Sequence, residues 1–217
     1  MALITAIQRQ KRRRRADVYV DGAYACTLGL DLIAERCLAV GAPLTDDARR
    51  ALVAEDQRRE ALAAALRLVA LGPRSEKEVR DRLRRRAFPV AAVDAAVERL
   101  RELGYLDDAA FARFFVEARQ AAVPRSRRAL AFELSRRGVD RETAGAAVET
   151  LSDEDAAYAA ASRRLRSLRC LDRVTFTRRL GAFLANRGFS YGVIRATVDR
   201  CWSGLEDKPS APDTSGV

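Results

Sequence analysis

The chain repeats itself, and this limits its fold more than any other feature. Leu83, Leu134 and Leu184 lie 51 and 50 residues apart, and Phe88, Val139 and Phe189 keep the same intervals, as do Val97, Val148 and Val198. Around these anchors the text recurs, as Leu83-Arg84-Arg85-Arg86-Ala87-Phe88, Leu134-Ser135-Arg136-Arg137-Gly138-Val139 and Leu184-Ala185-Asn186-Arg187-Gly188-Phe189. Apolar residues within each period fall at helical spacing, so one small helical unit is used three times. A unit this short buries little by itself, and neighbours are expected to share surface. The expected architecture is mainly α: a tandem array of three three-helix repeats, elongated and curved. Such an array suits an extended partner better than it suits a pocket enzyme.

Capping signals place the helices. In the first repeat a helix runs from about Gln57 to Leu71, and Ser75-Glu76-Lys77-Glu78 is a capping box that opens the next. A third helix carries Val93, Val97 and Leu100. In the second repeat Asp107, Ser126 and Asp140 start the three helices; in the third, Ser152, Asp172 and Ser190 do so. The pair Asp107-Asp108 reads as a cap with a first-turn carboxylate that favours the helix dipole. Tyr105, Phe111, Phe114, Phe115 and Tyr158 read as core.

The start of the chain has a different period. Ala2 to Gln8, Ala16 to Val20 and Ala23 to Leu28 are β-type segments, and Asp21-Gly22 between the last two is a hairpin turn in which both residues need φ > 0. A small three-stranded extension follows, covered by a helix over Leu30 to Leu38. Thr45-Asp46-Asp47 caps a separate helix with Ala48, Leu52 and Val53 on its apolar side. The expected segments are 1–55 (β-rich extension with helices), 56–106, 107–151 and 152–205 (the repeats), and a disordered tail, 206–217.

Charge discriminates among the repeats. Net charge is +10, and Lys stands only at 11, 77 and 208, so 37 of the 40 basic residues are Arg. A coding bias can favour Arg over Lys, but it does not create a net excess. Residues 156–205 hold ten arginines against Asp172 and Asp199, which gives +8, whereas 110–155 balance at zero. A face this basic is expected to meet an acidic partner, either DNA phosphates or an acidic protein surface. Candidate contacts are Arg119, Arg125, Arg127, Arg128, Arg163, Arg164, Arg166, Arg169, Arg178, Arg179, Arg187 and Arg195. Secondary candidates are Lys11, Arg12, Arg13, Arg14 and Arg15, which read as a solvated loop or a phosphate-seeking finger. Arg84, Arg85 and Arg86 are secondary too, since cations at a helix C-terminus also complement the dipole.

Catalytic signatures are missing from the sequence. It has no His, no P-loop and no G-x-S-x-G, and its four cysteines (Cys26, Cys37, Cys170, Cys201) form no C-x-x-C. The expectation is therefore a monomeric, cytoplasmic protein that is not an enzyme, with no catalytic, cofactor or metal site and no membrane span.

Gly104-Tyr105-Leu106-Asp107-Asp108-Ala109-Ala110-Phe111-Ala112 resembles the GYLDD-x-x-FA signature of the RecX family, regulators of the bacterial recombinase RecA. Arg74-Ser75-Glu76-Lys77-Glu78-Val79-Arg80-Asp81-Arg82-Leu83 is similar to that family's R-S-x-x-E-[LV]-x-x-[RK]-L helix. Phe115 to Arg119, Glu133 to Val139 and Asn186 to Phe189 resemble further family motifs. Two residues depart from the pattern: Ala87 stands where Gly usually ends a helix, and Ser126 where Gly is common. Both departures are expected to touch local turn geometry only. The resemblance implies a negative modulator that lodges in the groove of the RecA filament on DNA and suppresses ATP hydrolysis, strand exchange and co-protease activity in the SOS response. Single- and double-stranded DNA are implied as weak, salt-dependent partners. The alternative is a basic helical DNA-binding module that acts without RecA.

Overall fold

A computed structural model describes residues 2–206. Glu206, expected as the first residue of the disordered tail, is instead the last residue of the final helix, and the rest of that tail, 207–217, lies outside the described residues. Among the described residues there are three strands, β1 (Ile4–Arg9), β2 (Arg15–Val20) and β3 (Ala23–Gly29), and ten helices. These are α1 (Leu30–Glu35), α2 (Asp46–Val69), α3 (Glu76–Arg84), α4 (Val90–Glu102), α5 (Asp108–Ala122), α6 (Arg127–Arg136), α7 (Arg141–Val148), α8 (Asp153–Leu165), α9 (Arg173–Ala185) and α10 (Tyr191–Glu206). The chain divides into two compact units between Leu106 and Asp107.

The first unit opens with the antiparallel sheet β1-β2-β3. Asp21 and Gly22 take φ of 49° and 83°, as the hairpin signal required. Alternate residues Ala16, Val18, Cys26 and Leu28 are buried and pack with Ile4, Leu32, Leu44 and Leu52. One long helix, α2, replaces the two helices expected between Ala48 and Leu71. Nothing from Glu55 to Arg58 can break a helix, so the N-terminal cap at Thr45, whose hydroxyl accepts the Ala48 N–H, serves the whole length. Its first half backs the sheet, and its second half joins α3 and α4 in a core with Ala61, Ala65, Leu83, Val97 and Leu100. Cys37 at φ 49° follows the end of α1, so that helix stops short of Leu38.

Asp56 ties sheet to helix. Its buried carboxylate accepts the Gly29 N–H at 2.8 Å and pairs with Arg15 at 2.6 Å.

In the second unit, α5 to α7 enclose one core and α8 to α10 another. The periodic anchors are interior in all three repeats. Leu83, Leu134 and Leu184 are fully buried, and Val97, Val148 and Val198 belong to the same three cores. After each Leu the chain turns through a left-handed residue: Ala87 at φ 61°, Gly138 at 93° and Gly188 at 84°. The aromatic residues divide. Phe111 and Phe115 are buried and Tyr158 half-buried, but Phe114 and Tyr105 are 50% and 58% exposed, contrary to expectation. Phe114 precedes Phe115 by about 100° of helix turn, which takes it off the buried face.

Candidate functional site: the arginine face of the second and third repeats

Ser126 and Gly188 join these two repeats. The Ser126 hydroxyl accepts the Ala129 N–H as the cap of α6 and donates to the Gly188 carbonyl at 2.8 Å. The Ser126 N–H donates to the Arg187 carbonyl, and the Arg127 N–H to Asp153. Ser126 is buried, and a Cβ on Gly188 would stand 2.8 Å from both Ala129 Cβ and Ser126 Oγ. The departure at Ser126 is therefore more than turn geometry, because its side chain links residues 62 apart.

The candidate arginines fall into two groups. Members of the first have internal partners. Arg119 and Arg125 share Glu133, at 3.1 and 2.9 Å. Arg163 reaches across the seam and donates to the Ala122 and Ala121 carbonyls at 2.7 and 3.0 Å, capping the C-terminal end of α5. Arg164 and Arg187 both lie on the Phe183 ring, at 5.1 and 3.7 Å from its centroid. Such contacts hold a guanidinium over the negative face of the ring while its charge remains. Burial, followed by the charges of Arg125 and Arg164, pulls the Arg187 guanidinium below its ordinary value. Arg125, Arg164 and Arg187 thus converge at the seam, and the carboxylate there, Glu133, is already shared by two cations. Arg195 pairs loosely with Asp199 at 4.0 Å.

Arg127, Arg128, Arg166, Arg169, Arg178 and Arg179 make up the second group. All six side chains are exposed, and among the described residues none lies within ion-pair distance of a carboxylate. Their charge is available to a partner without breaking an internal bond. Glu133, Phe183 and the Ser126–Gly188 joint, which organise this face, were not singled out by charge counting.

The secondary candidates all belong to the first unit. Arg15 turns inward to Asp56 and Glu60, and Arg14 pairs with Asp31 at the surface. Lys11, Arg12 and Arg13 are exposed, as are Arg84, Arg85 and Arg86 around the end of α3. Of the cysteines, Cys26 and Cys201 are buried and Cys37 and Cys170 exposed. Burial pushes the Cys26 and Cys201 thiols up from their ordinary value. Among the described residues no helix is long and apolar enough to cross a membrane, and no group of three or more metal-ligating side chains gathers.

Comparison with known proteins accounts for the periodicity. Residues 61–100, 107–148 and 152–198 match the family models described as the first, second and third three-helix domains of RecX. Among curated relatives, the Regulatory protein RecX of Thermobifida fusca is 42% identical over 142 residues, covering 64% of this chain and 77% of that protein. The Streptomyces lividans protein of the same name is 36% identical over 161 residues, covering 73% of this chain and 86% of its own. A crystal structure of regulatory protein RecX superposes with a TM-score of 0.64 at 21% identity, covering 96% of this chain and all of that one. A second, RecX from Lactobacillus salivarius, gives 0.60 at 20% identity, covering 69% of this chain and 99% of its own.

Proposed function

Because this chain belongs to the RecX family, we propose that it is a negative regulator of RecA, binding the groove of the RecA–DNA filament and suppressing ATP hydrolysis, strand exchange and SOS co-protease activity. The relatives carry the name regulatory protein, and a regulator acts through a partner. The observation that carries the reading is the second arginine group. Among the described residues, six exposed guanidinium groups on two adjoining repeats have no carboxylate of their own, so a polyanionic assembly completes them. A protein filament on DNA offers phosphates, and the Arg fork grips phosphate and carboxylate alike at two points.

The proposed contact surface is Arg127, Arg128, Arg166, Arg169, Arg178 and Arg179. Arg119, Arg125, Arg163, Arg164 and Arg187 support it from below by fixing the seam. The test is co-sedimentation with RecA filaments formed on single-stranded DNA in low salt. Charge reversal of Arg166, Arg169, Arg178 and Arg179 to Glu is expected to weaken binding at least tenfold with the circular dichroism spectrum unchanged. Unchanged binding refutes this surface. The alternative reading, a DNA-binding module that acts without RecA, requires that the repeats bind duplex by themselves with a steep salt slope, lost on reversal of the same four arginines.

A further inference from the structure

We infer that the tip of the β1–β2 hairpin is a second, separate contact for the phosphate backbone of double-stranded DNA. This surface lies in the first unit and does not depend on the reading given above for the repeats.

The tip is a short closed turn. The Gln10 N–H donates to the Arg15 carbonyl at 2.9 Å, and the Leu30 N–H holds the Arg14 carbonyl at 3.0 Å. Gln10 is fixed from its side chain as well, since its amide donates to Asp17 at 2.8 Å. Between these anchors stand Lys11, Arg12, Arg13 and Arg14, with Arg12 in a left-handed conformation at φ 68°. The last pair of β2 with β3 is Arg15 with Gly29, so the four cations lie past the end of the sheet.

The nearby carboxylates are already engaged. Asp31 takes Arg14, Asp56 and Glu60 take Arg15, and Asp17 accepts from Gln10 and Thr27. Among the described residues Lys11, Arg12 and Arg13 have no such partner, which leaves three like charges on consecutive residues. Their repulsion is relieved by an external anion.

The chemistry of the tip favours phosphate over protein. Protein interfaces rely on apolar anchors at their centres. The exposed large apolar residues of this sheet are Leu3 and Tyr24, and both belong to its far end, by the Asp21-Gly22 turn. The tip itself offers only cations, on a short turn past the end of the three-stranded sheet, and Lys and Arg neutralise DNA phosphates directly.

The experiment measures affinity for a duplex oligonucleotide by fluorescence anisotropy across a salt series, with RecA absent. The variant is Lys11→Ser, Arg12→Asn, Arg13→Ser; Asn tolerates the left-handed position, and Arg14 and Arg15 keep their partners. Three lost phosphate contacts reduce the slope of log affinity against log salt by about 2.7. A fourfold rise in salt should thus weaken the native protein about 40-fold more than the variant. Arg12→Lys with Arg13→Lys should keep the native slope, and thermal unfolding of all three should coincide. An unchanged slope in the triple variant overturns the inference. So does a variant that binds duplex normally but loses its grip on RecA filaments, because the tip would then be meeting acidic protein.

Discussion

Replacing Gly188 with Ala tests the link between sequence repeat and tertiary joint. Gly188 has φ +84°, where an L side chain costs about 1–2 kcal/mol, offset by roughly 0.4–1 kcal/mol because Ala restricts the unfolded chain. The new Cβ would meet Ala129 Cβ and Ser126 Oγ at 2.8 Å, whereas carbon atoms settle at about 3.5–4.0 Å. The α6 N-terminus and the Gly188 turn must therefore part, an overpacking strain of about 1–3 kcal/mol. Parting them also stretches the 2.8 Å bond from Ser126 to the Gly188 carbonyl, a contribution of about 1 kcal/mol. The total is about 3 kcal/mol. Trp202 is the sole tryptophan and packs edge-on to Phe176 at 5.2 Å, so its fluorescence reports the third repeat. With a slope of about 2 kcal/mol per molar urea, the midpoint should fall by about 1.5 M. A fall below about 0.3 M would refute the argument, because neither the left-handed turn nor the close approach would then matter.

At the equivalent turn of the first repeat the prediction has the opposite sign. Ala87→Gly relieves a left-handed Ala at φ 61° and should stabilise the first unit by about 0.5–1 kcal/mol in a urea melt followed by circular dichroism; a loss of stability would contradict it. Arg15→Met leaves the Asp56 carboxylate, 7% exposed, without its cation and should destabilise the same unit by about 3 kcal/mol in that assay, against no change if Gly29 alone satisfies it. Asp140 and Asp172 cap α7 and α9, and hydrogen bonds from the hydroxyl and N–H of Thr143, and from the N–H and hydroxyl of Thr175, hold both carboxyls below their ordinary range. The folded state therefore binds their protons more weakly than the unfolded chain does. Their stabilisation is complete above the ordinary value of about 4 and is lost as pH falls through the lower folded values. Asp140→Asn with Asp172→Asn keeps the caps but removes the titration, so Tm should fall less steeply below about pH 4; an identical acid limb would contradict this.

Much of the fold was legible because its signals are local. The Ser75–Glu78 capping box forms in both directions, and Asp107 accepts the Ala109 and Ala110 N–H groups. Both act within a few residues, as do Asp21-Gly22 and the caps at Asp140, Asp172 and Ser190. The merged α2 was hidden because two amphipathic stretches with no breaker between them look the same joined or separate. Phe114 and Phe115 are adjacent aromatics, and composition does not tell which one turns inward. The candidate site was legible as charge but not as arrangement. Counting arginines located the third repeat, yet only tertiary contacts separate Arg163, bound to α5 carbonyls, from Arg178, which is exposed and among the described residues has no carboxylate within ion-pair distance. The same holds for Ser126 and Gly188, a pair whose meaning depends on a contact across 62 residues.

The most direct test of the regulatory reading is single-strand-dependent ATP hydrolysis by RecA while this protein is titrated in, well below one copy per RecA. Groove binding along a cooperative filament predicts strong inhibition at those ratios, weakened when Arg166, Arg169, Arg178 and Arg179 are reversed to Glu. Inhibition only at ratios that coat the DNA would contradict it, and would point to competition for phosphates by a DNA-binding module.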